Sequence, residues 1–68
     1  MTNKERMIKA IRFYLKHSDK WISFASDRET VETMCCLNNL RIVSFNSHGQ
    51  AKINQHNADL YLSYNGSN

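Results

Sequence analysis

The segment from Ser26 to Ile53, SDRETVETMCCLNNLRIVSFNSHGQAKI, leaves few choices of local structure, because a helix start, a helix stop and a hairpin follow one another within it. Ser26 and Glu29 have the spacing of a capping box: the serine hydroxyl accepts the amide hydrogen of Glu29, and the glutamate carboxylate accepts that of Ser26. Asp27 adds negative charge at the end of the helix where the peptide dipoles favour it. The helix so started covers about 27 to 39, and Asn38-Asn39 can supply the left-handed residue that stops it without a glycine. Its Val31, Met34 and Leu37, with part of Cys35, share one side and read as core, with Leu40 and Ile42 following as the helix unwinds. Arg28, Glu29, Glu32, Cys36 and Asn39 share the other side. Arg41 to Asn46 and Ala51 to Asn54 then alternate, so Val43 and Phe45 face inward with Ala51 and Ile53. Between them lies Ser47-His48-Gly49-Gln50, where Gly49 accepts the positive φ of a hairpin turn.

The flanking segments supply the rest of a core. Thr2 or Asn3 caps a first helix running to about His17, with Met7, Ile8, Ile11, Tyr14 and Leu15 at the spacing of one buried stripe. Its opposite side carries Arg6, Lys9, Arg12 and Lys16 with Phe13 among them, and Phe13 either faces a partner or packs against the hairpin. Trp21 to Ala25 is short and β-rich and reads as a short strand or extended segment, with Trp21 in the core. Ala58, Leu60, Leu62 and Tyr64 alternate with polar or outward residues as a third strand, a helical turn through Leu60 to Tyr64 being the other reading. The expectation is therefore a small α+β domain over 1–64, of order α-β-α-β-β with a last strand, and a flexible tail at 65–68.

Size and charge narrow the functions. A chain of 68 residues buries only about 60% of its unfolded surface and has room for one core. Residues 1–20 hold six basic and two acidic side chains, net +4, while the remainder holds three and four, net −1, so the basic surface belongs to the first helix. Cys35 and Cys36 are adjacent on a helix and point about 100° apart, too far for a useful disulfide. Together with the lack of a ~20-residue apolar run, this predicts a reduced, cytoplasmic protein with at least one buried thiol and no membrane partner.

Enzymatic chemistry finds no constellation. His17, His48 and His56 lie in separate segments away from any nucleophile motif, and Gly49 and Gly66 cannot form a phosphate loop. Cys35, Cys36, His48 and His56 are the one metal set to consider, but zinc needs four converging ligands and the two cysteines diverge. Glu29 and Glu32 read as solvated carboxylates. No catalytic residue, metal or cofactor is expected.

Binding is what remains. Thr30-Val31, Met34, Leu37-x-x-Leu40, Ile42-Val43 and Asn46-Ser47-His48-Gly49-Gln50 together resemble the winged helix-turn-helix family, in the trimmed form found among small phage and mobile-element proteins. The likeness covers Ile8 to about Leu62; it departs at Arg41, where the family usually has glycine, and at Trp21 to Ala25, where the middle helix is reduced. The resemblance implies that the second helix enters the major groove with Arg28, Thr30 and Thr33 as base or phosphate contacts, and that His48, Gln50 and Lys52 meet the backbone or minor groove. Electrostatics oppose part of this. Residues 27–39 carry one positive and three negative side chains, net −2, and repel phosphate. Two readings follow. One is a small DNA-binding regulator that can pair as a homodimer and draws its affinity from Lys9, Arg12, Lys16, Arg28 and Lys52. The other is a phage-type protein-interaction module that inhibits a host protein or nucleoprotein defence complex by setting its basic helix against an acidic or nucleic-acid-binding protein surface.

Overall fold

The computed structural model describes residues 2–65 of the chain. Six elements follow in order: α1 (Asn3–Leu15), β1 (Ile22–Ser23), α2 (Arg28–Asn39), β2 (Val43–Phe45), β3 (Gln50–Ile53) and α3 (Gln55–Asn65). Among the described residues the fold is α+β, three helices with one three-stranded antiparallel sheet of order β1-β3-β2. Ile22 lies opposite Ala51, Val43 opposite Ile53 and Phe45 opposite Ala51. α1 packs on β3 and α2 on β2, and the core between them holds Ile11, Tyr14, Met34, Leu37, Ile42, Val43, Ala51 and Ile53. The buried Tyr14 hydroxyl donates to the Ile22 carbonyl at 3.2 Å, tying α1 to β1, and burial pushes the phenol pKa up.

An acidic side chain takes part in the capping of both main helices, at N3 of α1 and at the N-cap of α2. Thr2 Oγ1 accepts from the Glu5 amide at 3.1 Å and Glu5 Oε1 accepts from the Thr2 amide at 2.8 Å, a complete capping box. At α2 the cap is Asp27, which corrects the expected Ser26: its Oδ2 accepts the amide and the hydroxyl of Thr30, each at 3.1 Å. A carboxylate in that position satisfies two donors and also meets the positive end of the helix dipole, which a serine hydroxyl does less well. The hydrogen bonds from Thr2 and Thr30 hold the Glu5 and Asp27 carboxyls below their ordinary pKa values. A depressed folded-state pKa gives stability that is present above the unfolded pKa, near 4, and lost as pH falls through the folded value. The melting temperature should therefore hold between pH 5 and 7 and decline below about pH 4. A Glu5→Gln, Asp27→Asn double variant keeps the acceptors but not the titration, and should show a shallower decline by circular dichroism.

The stop of α2 is a second correction. Arg41, not Asn38 or Asn39, is the left-handed residue, with φ 61°. Its amide donates to the Asn38 carbonyl at 2.9 Å and the Ile42 amide to the Leu37 carbonyl at 2.9 Å, the paired bonds of a Schellman stop. That position favours glycine, because a β-carbon there crowds the following carbonyl at a cost of about 1 kcal/mol. Arg41→Gly should accordingly raise stability by about 0.5–1 kcal/mol, read as a higher melting temperature. Arg41→Ala should give no such gain.

The last element also differs from expectation: α3 stands where a strand was expected. Ala58 is buried, and Tyr61 and Leu62 pack against the core at the i+3 and i+4 positions of a helix, leaving Leu60 and Tyr64 outside. Asn54 decides between the two periods. Its side chain accepts from the Asn57 amide at 3.0 Å and its carbonyl from the Ala58 amide at 2.9 Å, while its own amide reaches the Ile42 carbonyl at 2.7 Å. Asn57 then donates to the Arg41 carbonyl at 2.8 Å, joining α3 to the end of α2. Asn65, placed in the expected tail, belongs to α3; residues 66–68 of that tail lie outside the described residues. α1, expected to reach His17, ends at Leu15 and gives way to a turn.

Several side chains expected inside are outside. Trp21 is 42% exposed, because Ile22 takes the inward side of β1 and its neighbour must point out. Leu40 is half exposed beyond the last turn of α2, and Phe45 is partly exposed with its ring 5.5 Å from that of Phe24. Cys35 and Cys36 are both free and exposed, so no buried thiol is present: Thr33, Met34 and Leu37 take the inward positions of α2.

Candidate binding surface

The helical period of α1 sets Met7, Ile11 and Tyr14 into the core and so turns Lys9, Arg12 and Lys16 to solvent. All three are exposed, and the ion pairs among the described residues, Arg6–Glu29 at 3.4 Å and Arg28–Glu32 at 3.2 Å, leave them unpaired. Lys9 and Lys16 are separated by about 10 Å along the helix axis, close to the width of a DNA major groove, about 12 Å. Lys20 follows in the turn after α1 and is exposed too.

α2 offers a different surface. Thr33 is buried and its hydroxyl donates to the Glu29 carbonyl at 2.9 Å, which corrects its expected role as a nucleic-acid contact: a threonine facing the core mid-helix returns its hydroxyl to the preceding turn. The Thr30 hydroxyl is committed to Asp27, and the Arg28 guanidinium to Glu32. With Asp27, Glu29 and Glu32 all exposed, the outer side of α2 is acidic.

The hairpin carries the remaining candidates. Asn46 shapes its turn: the Asn46 side-chain oxygen accepts from the amides of His48 at 2.8 Å and Gln50 at 3.1 Å, and Gly49 takes φ 71°. His48 is exposed at the tip. The Asn46 amide group donates to the Gln50 side-chain oxygen at 2.9 Å, which leaves the Gln50 NH₂ to point elsewhere. The Lys52 ammonium lies 6.0 Å from the centre of the Trp21 ring, as expected for side chains facing each other across β1 and β3.

Two depressions flank Phe13, which is 49% exposed and has its ring against Tyr14 and His17 instead of the hairpin. The larger, about 520 Å³, lies between α1 and α2 over Ala10, Tyr14, Phe24 and Met34, with Arg6 and Lys9 on one rim and Glu29 and Thr30 on the other. The smaller, about 330 Å³, lies between Phe13, His17, Lys20, Trp21 and Gln50. Phe13 and Ser23 line both. Of the nine residues expected at a binding site, the structure thus groups Lys9 and Arg12 on α1 with Lys16 at its C-cap, and sets Gln50 near the turn that follows and Lys52 beside Trp21. Thr30 and the buried Thr33 line the larger depression on its α2 side, Arg28 lies outside it paired with Glu32, and His48 stands apart at the tip.

Sequence reasoning missed Phe13 as the centre of a cleft, and Trp21 and Lys20 as its continuation. One signal for Trp21 was available: once Ile22 is set inward, strand alternation places its neighbour opposite Lys52 on the outer side. No group of three His, Cys, Asp or Glu among the described residues can hold a metal ion, and no helix among them is long and apolar enough to cross a membrane. The chain matches no protein-family model, and no curated protein or solved structure is significantly similar to it.

Proposed function

We propose that this chain is a non-enzymatic DNA-binding regulator of the small phage or mobile-element type, and that α1 supplies its phosphate contacts in place of α2. The observation that carries this reading is the unpaired cationic row Lys9, Arg12 and Lys16 on the exposed side of α1, extended by Lys20 and Lys52. The winged-helix resemblance lends support through the hairpin that follows α2. The acidic outer side of α2 disfavours that helix as the reader of bases, since phosphate repels it. Binding is then weakly sequence-dependent and strongly salt-dependent. Five released counterions give a slope of log K against log salt near −4.5, measurable by gel shift with random-sequence duplex. A slope near zero, or no shift at low salt, sinks the proposal.

A second reading is favoured by a different observation. The apolar floor beside Phe13, bordered by cations, has no use in holding phosphates and suits a protein partner whose acidic surface carries an apolar side chain. In that reading the chain is an interaction module that occupies and inhibits its target.

A further inference from the structure

The two depressions on either side of Phe13 form one trough. They share Phe13 and Ser23, and Ser23 belongs to β1, which pairs with β3 on one side only and so is an edge of the sheet. α1 and β1 thus wall the trough, and the Ile22 carbonyl of β1 is already engaged by the Tyr14 hydroxyl. Side-chain pockets beside a strand are a recurrent way of capturing extended peptides. The larger depression, about 520 Å³, lies within the range of sites that enclose a drug-sized ligand, about 300–1,000 Å³, and its floor is apolar.

Charge selects the occupant. Lys9 stands on the larger depression's rim and Lys20 lines the smaller, neither in an ion pair, whereas the one carboxylate lining the trough, Glu29, is engaged by Arg6 at 3.4 Å. A basic segment would meet these cations unfavourably, and a neutral one would leave them unused. A nucleic-acid strand would lay its phosphates over an apolar floor. We propose that the trough docks an extended acidic segment of a partner protein, with one bulky apolar side chain over Phe13 and Phe24 and carboxylates over Lys9 and Lys20. This rests on the protein-partner reading given above and names the chemistry of that partner.

The probe is a labelled peptide with a central phenylalanine flanked on both sides by Asp and Glu. It is added to the whole ¹⁵N-labelled protein and followed by amide shifts and fluorescence anisotropy. The expected result is saturable binding with shifts at Ala10, Phe13, Ser23 and Phe24. Affinity should fall about tenfold or more in Phe13→Ser, and on replacing the peptide's phenylalanine with alanine. It should fall comparably in a Lys9→Glu, Lys20→Glu variant, whereas Lys4→Glu, at an exposed position that lines neither depression, should change it less than about twofold. Phe13, Lys9 and Lys20 are solvent-facing, so these variants retain the fold, which circular dichroism checks.

The proposal is overturned if the peptide leaves Phe13 and Ser23 unshifted, if a lysine-flanked peptide binds as well, or if a short single-stranded oligonucleotide produces the same shifts more strongly. Poly-glutamate distinguishes failure of the trough from failure of the protein-partner reading. Shifts confined to Lys9, Arg12 and Lys16 keep the protein-partner reading and remove the trough, and no shift with either polymer or peptide removes both.

Discussion

Leu37→Ala should lower the free energy of unfolding by about 2–5 kcal/mol, enough to leave much of the protein unfolded at ambient temperature. Leu37 has no exposed surface and lies in the cluster with Ile11, Met34, Ile42 and Val43, so truncation removes buried methyl groups and leaves a cavity that both helices and the sheet must close. A domain of this length has only about 3–10 kcal/mol to lose. Leu40 is the internal control. It is one turn further on, half exposed, and its truncation to alanine should change stability by about 0.5 kcal/mol or less. Urea unfolding of both variants checks the register of α2. Equal effects at the two positions would mean that the helix is rotated from the arrangement described.

The other large effect concerns binding. Reversing Lys9, Arg12 and Lys16 to glutamate together should reduce duplex-DNA affinity by about two to three orders of magnitude near 0.1 M salt, and flatten the salt slope by about 2.7. These positions point away from the core, so the melting temperature should change little. Arg28→Ala, on α2, should by contrast weaken binding only slightly, since its guanidinium is already committed to Glu32 at 3.2 Å. If Arg28→Ala were the damaging substitution and the triple reversal harmless, the phosphate contacts would belong to α2.

Much of the architecture follows from periods that the residues state plainly. In α1 the spacing of Met7, Ile11 and Tyr14 fits only one helical face, and in the hairpin Val43, Ala51 and Ile53 face inward as alternation requires. What escaped was decided by competition between residues that satisfy two patterns. Ala58, Leu60, Leu62 and Tyr64 alternate as a strand, yet Ala58, Tyr61 and Leu62 also share a helical face, and the Asn54 cap tips the balance. Ser26 and Asp27 can both cap α2, and the carboxylate wins by accepting two hydrogen bonds from Thr30. Arg41 adopts the left-handed conformation because the chain must reverse into β2 there, at a cost the sequence does not advertise.

The site divides the same way. The exposure of Lys9, Arg12 and Lys16 was legible, because an exposed face is the complement of a buried one on the same helix. Thr33 was misplaced because a threonine gives no sign of which way it faces until Met34 and Leu37 fix the rotation of α2. The trough could not be read at all: its margins come from α1, the edge of β1 and the start of α2, which only the fold brings together.

The central proposal is that α1 is the surface that meets DNA. A titration of ¹⁵N-labelled protein with random-sequence duplex at low salt, read amide by amide, tests it most directly. The largest shifts should fall on Lys9, Arg12 and Lys16, with smaller ones at Lys20 and Lys52, all reverting as salt is raised, while the amides of α2 stay in place. Shifts centred on Arg28 to Thr33, or none anywhere at low salt, would contradict it.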